Sequence, residues 1–188
     1  MFSMKKLFSA LALLVVLSAF LGCGDDSPSK PSMTLTIDGV EQKVSTPAGI
    51  MQFETQYDHE GRGLLIAANV GGSQITLTVS NWDWQNPPTD AVLAKDYSVI
   101  FGEETLETSE CLELEGSVFL CDGALITYST ETDTFFSAFI EEYDGFIRVK
   151  SCSGKKISGE FDVQAEGGNQ DIITMKGTFT NVPYTVIK

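Results

Sequence analysis

A single histidine, His59, is all the imidazole this 188-residue chain has. A Ser-His-Asp relay would need it as base. It sits in the polar run YDHEG, read as a loop, and no G-x-S-x-G nucleophile motif occurs anywhere. One histidine and four cysteines make no zinc site either, since the Cys111–Cys121 spacing is not that of a zinc knuckle. Basic residues are scarce: 12 Lys+Arg stand against 26 Asp+Glu, a net charge of −14. Such a chain is repelled by phosphate backbones, which argues against nucleic acid as a partner. Its net charge likewise disfavours adhesion to anionic lipid. Helical periodicity is missing. The best helical turn is Asp90 to Lys95, with Thr89 or Asp90 as N-cap. Long apolar runs are also lacking after the first, Leu7 to Leu21, which is shorter than the roughly 20 residues that span a bilayer.

That one run is informative. Lys5 and Lys6 precede it and small residues lie near its end, which is the pattern of a secretory signal over residues 1–22. It closes as LSAFLGCGDDSPSK. Phe20-Leu21-Gly22-Cys23 resembles a bacterial lipobox, in which Leu usually stands where Phe20 is and Ala or Ser where Leu21 is. The resemblance implies cleavage before Cys23 and lipidation of its thiol. Two or more acyl chains anchor a protein stably, at about 0.8 kcal/mol per buried CH₂. Gly24-Asp25-Asp26 resembles the acidic tag of surface-exported lipoproteins of Bacteroidota, which implies an outer-membrane, surface-facing position, with a periplasm-facing one as the alternative. SPSKPS then reads as an extended tether. The organisation expected is a cleaved signal over 1–22, a lipidated Cys and tether over 23–32, and one β domain over 33–188. Without residues 1–22 the chain has 188 − 22 = 166 residues, which suits a single domain.

The rest of the chain alternates with period 2. Met33, Leu35 and Ile37 alternate with threonines and run into Asp38-Gly39, a hairpin turn signal. Ile75, Leu77 and Val79 alternate with polar residues, and KISGEFDVQAE places Ile157, Gly159, Phe161, Val163 and Ala165 on one face. Further strands are expected over 49–56, 63–70, 97–102, 124–129, 135–142, 146–151 and 171–181, with Pro183 ending the last or marking an edge. About ten short strands predict an all-β antiparallel sandwich or barrel. An oxidising compartment permits disulfides. If Glu115-Gly116-Ser117 is a hairpin loop, Leu114 faces Val118, Leu112 faces Leu120 and Cys111 faces Cys121. A Cys111–Cys121 bond would contribute ~2.5–3 kcal/mol. Cys152 is left over, either free and buried or competing for either partner, so connectivity stays open.

KKISGEFDVQAEGGNQDIITMKGTFTNVPY resembles the end of a family of uncharacterised Bacteroidota lipoproteins, through Ser158, Gly159 and Phe161 and then Gly177, Phe179, Asn181, Val182, Pro183 and Tyr184. TLTIDGVEQKV resembles that family's opening hairpin, without the Trp usual near Gln42. The resemblance implies a secreted, anchored β domain and no particular activity.

Three site chemistries remain. In NWDWQNPPTD, Trp82 and Trp84 would share a face beside Asp83, Gln85 and Asn86 and could stack on a sugar; tryptophans plugging the end of the core is the competing reading. No specific acid pair for glycoside hydrolysis can be named, because the neighbours Glu103-Glu104 and Glu141-Glu142 would point to opposite faces of a strand, although among 26 acids some pair will lie close in space. Glu131, Asp133, Glu141, Glu142 and Asp144 supply oxygens for weak Ca²⁺ binding without a D-x-D-x-D-G loop. The expectation is a membrane-anchored, non-enzymatic envelope lipoprotein with a binding or structural role, its only cofactor the lipid on Cys23 and its partner a glycan or an envelope protein. A carbohydrate-binding accessory protein is the alternative, and a carboxylate-dependent hydrolase follows.

Overall fold

The computed structural model describes residues 30–56, 59–82, 91–99, 111–114, 118–137 and 145–187, with the side chains of 54–56, 59–60, 111–114 and 118–121 left aside. Thirteen strands and no α-helix occupy the described residues. They are β1 Ser32–Ile37, β2 Val40–Gln42, β3 Ala48–Gln56, β4 His59–Val70, β5 Ser73–Trp82, β6 Asp96–Ser98, β7 Cys111–Leu114, β8 Val118–Cys121, β9 Gly123–Ser129, β10 Thr134–Phe136, β11 Phe146–Ser153, β12 Lys156–Glu166 and β13 Ile172–Ile187. Eleven form one sheet in the order β2-β1-β13-β3-β4-β5-β9-β10-β12-β11-β6, with β13 also paired to β12. That second pairing closes β13-β3-β4-β5-β9-β10-β12 into a ring, so the all-β domain is barrel-like. β7 and β8 form a separate hairpin.

Closure depends on β13, whose two halves have different partners. Met175 to Thr180 pair with β1, while Tyr184 to Ile187 run parallel to β3. Between them Asn181 adopts a left-handed φ of 49° and its N–H is held by Ser158 Oγ at 2.8 Å. Pro183 therefore sits inside the strand, at the switch, and does not end it. The missing proline donor falls between the last β1 pair, at Thr180, and the first β3 pair, at Tyr184, whose own N–H donates to Lys155 O at 3.0 Å.

The alternation read from sequence fills the barrel. Leu35, Leu64, Ile66, Ile75, Leu77, Ile126, Ile157, Phe161, Val163, Met175 and Phe179 are buried together. β12 has the bounds the pattern predicts, and its five apolar-face residues are all buried. Two of its contacts explain the glycines of the last two strands. Gly159 stands opposite Phe179, and Gly177 opposite Phe161. A methyl on either glycine would run into the facing ring and a neighbouring carbonyl, Arg148 O or Thr34 O. Each phenyl group thus covers a glycine across the strand pair.

Strand directions define two ends. The upper end carries the turns Asp38-Gly39, Gly71-Gly72 and 167–171; the lower end carries the Gly154-Lys155 turn, Trp82 and the start of β9. Two expectations change. His59 begins β4 opposite Gln56 and is not in a loop. Residues 91–95 form no helical turn: β6 follows directly, and Lys95 O accepts from Val149 N–H at 2.9 Å as an extended neighbour of β11.

Candidate functional site

Alternation along β4 and β5 carries polar residues inward at the lower end. Arg62 is in phase with Leu64, Ile66 and Ala68, and Asn81 with Ile75, Leu77 and Val79. The two stand opposite each other, 2% and 1% exposed. Asp122, just before β9, joins them and is 7% exposed. A buried carboxylate is tolerated only when paired and hydrogen-bonded, and Asp122 is both. Its Oδ2 accepts from Asn81 Nδ2 at 2.8 Å and lies 2.6 Å from Lys95 Nζ; its Oδ1 accepts from the Trp82 backbone N–H at 2.5 Å. Arg62 Nη1 donates to Ala91 O at 2.6 Å. Tyr97, 1% exposed, donates its hydroxyl to Leu93 O at 2.9 Å. Burial, and then the negative charge of Asp122, pushes that phenol's pKa well up, and Lys95 Nζ lies 5.3 Å from its ring centre.

This knot ties together β4, β5, the segment leading into β6, and the start of β9. With three donors directed at its two oxygens, Asp122 has the chemistry of an organiser. Asp122 gave no motif signal in the sequence, since a lone acid after Cys121 looks like any loop residue. Arg62 was legible in principle, because its parity puts a cation on the core face.

The residues singled out from sequence fall as follows. Trp82 ends β5 on the outer face, yet is only 9% exposed, with its indole lying over Gly61 of the adjacent strand. It offers little open ring for stacking. Asp83, Trp84, Gln85 and Asn86 lie outside the described residues, as do Cys23, Glu103, Glu104, Glu141, Glu142 and Asp144. Glu131 is exposed beside Asp133. Asp133 Oδ1 accepts from the backbone N–H of Thr134 and Gly168, at 2.7 and 3.1 Å, which makes it a turn brace. Among the described residues no three His, Cys, Asp or Glu gather as a metal site. β7 and β8 pair in the expected register, with Cys111 opposite Cys121, Leu112 opposite Leu120 and Leu114 opposite Val118. Cys152, half-buried, is a free thiol whose Sγ lies 3.4 Å from Tyr184 Oη.

The outer face of β6, β11 and β12 carries an ion-pair ladder. Arg148 holds Asp96 through two hydrogen bonds of 2.6 and 2.7 Å and Glu160 through one of 2.8 Å, and Lys150 also reaches Glu160 at 2.5 Å. Arg148 lowers the pKa of Asp96, and Lys150, with Arg148, lowers that of Glu160.

Comparison with protein-family models, curated proteins and solved structures finds no match to this chain.

Proposed function

We propose that this chain is a lipid-anchored protein of the bacterial envelope, without enzymatic activity, whose β domain is tethered to an outer membrane to bind or brace an envelope component. The observation that carries this reading is the placement of Cys23. It closes the one long apolar run and lies 32 − 23 = 9 residues before the first strand. Nine residues at ~3.3–3.6 Å each give a tether of about 30 Å. The three donors on Asp122 support a holding role for the buried polar knot described. Cys23→Ala tests the reading. The wild-type chain should partition with membranes and take up labelled fatty acid, and the variant should do neither. A variant that stays in the membrane fraction contradicts it.

The same compartment would oxidise the cysteines that face each other across the hairpin. A Cys111–Cys121 bond belongs to this reading, with Cys152 left reduced beside Tyr184. Alkylation of the denatured acylated chain should then modify one thiol before reduction and three after. A Cys152-containing disulfide peptide would refute that pairing.

A further inference from the structure

The lower corner where β1, β11, β12 and β13 meet has a charge opposite to that of the chain. The tether enters the fold there. Ser32 stands opposite Thr180, and three residues further along β13, Pro183 stands opposite Lys156. Lys30, two residues before Ser32, therefore emerges at the same end as the turn that joins β11 to β12, across β13 from it. Gly154 and Lys155 make that turn, both with left-handed φ of 57° and 58°, and Lys155 and Lys156 are exposed at its tip. Lys150, on β11 in the same corner, has a side chain 54% exposed while reaching Glu160. Below the Asp96–Arg148–Glu160 row, the described residues of these four strands include no Asp or Glu. A chain of net charge −14 thus has Lys30, Lys150, Lys155 and Lys156 together where its tether leaves.

We propose that this corner is a membrane-contacting surface, in which Lys150, Lys155 and Lys156, joined by Lys30, seat the barrel on the anionic phospholipid headgroups of the leaflet that holds the acyl chains. The proposal rests on the lipid-anchor reading. Net charge disfavours such contact, but net charge is the wrong measure at this range. Charges further apart than the Debye length, about 8 Å at physiological ionic strength, are largely screened. A corner pressed against headgroups responds to its own lysines, and the acids of the upper end lie across the barrel. The tether supplies the rest. Held within about 30 Å of the surface, the domain meets headgroups at high effective concentration, so weak attraction per lysine suffices to orient it. Seated this way, the barrel turns its upper end, with Asp38, Glu131 and Asp171, away from the bilayer.

The test uses the native acylated protein, purified in detergent and reconstituted into vesicles of phosphatidylcholine alone or with 30% phosphatidylglycerol by design. Amines are labelled with a water-soluble succinimidyl ester and read by peptide mass spectrometry. Labelling of Lys155 and Lys156 should fall at least threefold on the anionic vesicles and recover in high salt. Lys43, near the upper end, should label equally throughout and serves as the internal reference. Protein that floats with the vesicles but labels equally at Lys155, Lys156 and Lys43 under all conditions overturns this proposal alone. Protein that does not float overturns the anchor reading, and this one with it. A Lys155→Glu/Lys156→Glu double variant should float yet show the same Lys150 labelling on both lipid compositions; if its Lys150 stays protected on anionic vesicles, the turn is not the contact.

Discussion

At the scale of single residues, the strongest constraints are where backbone and ring, or charge and charge, meet with no slack. Gly159 and Gly177 lie under Phe179 and Phe161, so Gly159→Ala must push a ring or a strand aside. The expected loss is about 3 kcal/mol, read as a lower urea midpoint. Asp122→Ala would strand Asn81 Nδ2 and the Trp82 N–H in a buried place and remove the partner carboxylate of Lys95 Nζ. Its expected cost is about 3–5 kcal/mol, against a few tenths for Ala at the exposed Asp171; equal costs would show that the knot holds nothing. Trp82 can be heard alone in Trp84→Phe, since the chain has two tryptophans. Its emission should be blue-shifted and resist acrylamide, and a red-shifted, easily quenched band would contradict the burial described. Of these residues the sequence showed the pattern but not the pairing. The spacing of Gly159 and Phe161 is visible in a strand, whereas the phenyl group that covers each glycine comes from the other strand.

At the scale of elements, alternation was the reliable guide and local punctuation was not. β12 follows its period-2 pattern to the residue, because one face of it is core throughout. The hairpin of β7 and β8 also has the register its leucines imply. Of the two readings of Pro183, strand end and edge, the strand end fails, since in the fold the proline marks the point where β13 trades β1 for β3. His59 misled: its polar neighbours look like a loop, but pairing to β3 continues past the end of the apolar pattern. The ladder on β6, β11 and β12 predicts a pH dependence. Arg148 holds the pKa of Asp96, and Lys150 with Arg148 that of Glu160, below their ordinary values when folded. Their stabilisation is therefore present above those ordinary values and lost as pH falls through the lowered folded values. Arg148→Gln should be less stable than wild type at pH 7, and the gap in urea midpoint should close as the pH falls below the ordinary carboxylate range. A gap that is constant with pH would mean Arg148 acts by packing alone.

At the scale of the whole molecule, the fold is a closed sheet filled with aliphatic and aromatic side chains, with one polar knot at its lower end and the tether leaving from that same end. The class was legible because alternation recurs along nearly every segment. Closure was not, since it depends on one long strand changing partners and on the Phe136–Glu166 pair that, among the described residues, returns β10 to β12, neither of which leaves a local mark. The proposed address of the protein rests on its first 32 residues, where chemistry rather than packing carries the signal. The most direct test is the intact mass of the protein extracted from membranes, with fragmentation of its N-terminal peptide. The mass expected is that of a chain that has lost residues 1–22 and begins at a Cys23 bearing a diacylglyceryl group. A chain that retains residues 1–22, or that begins at an unmodified residue, would contradict it.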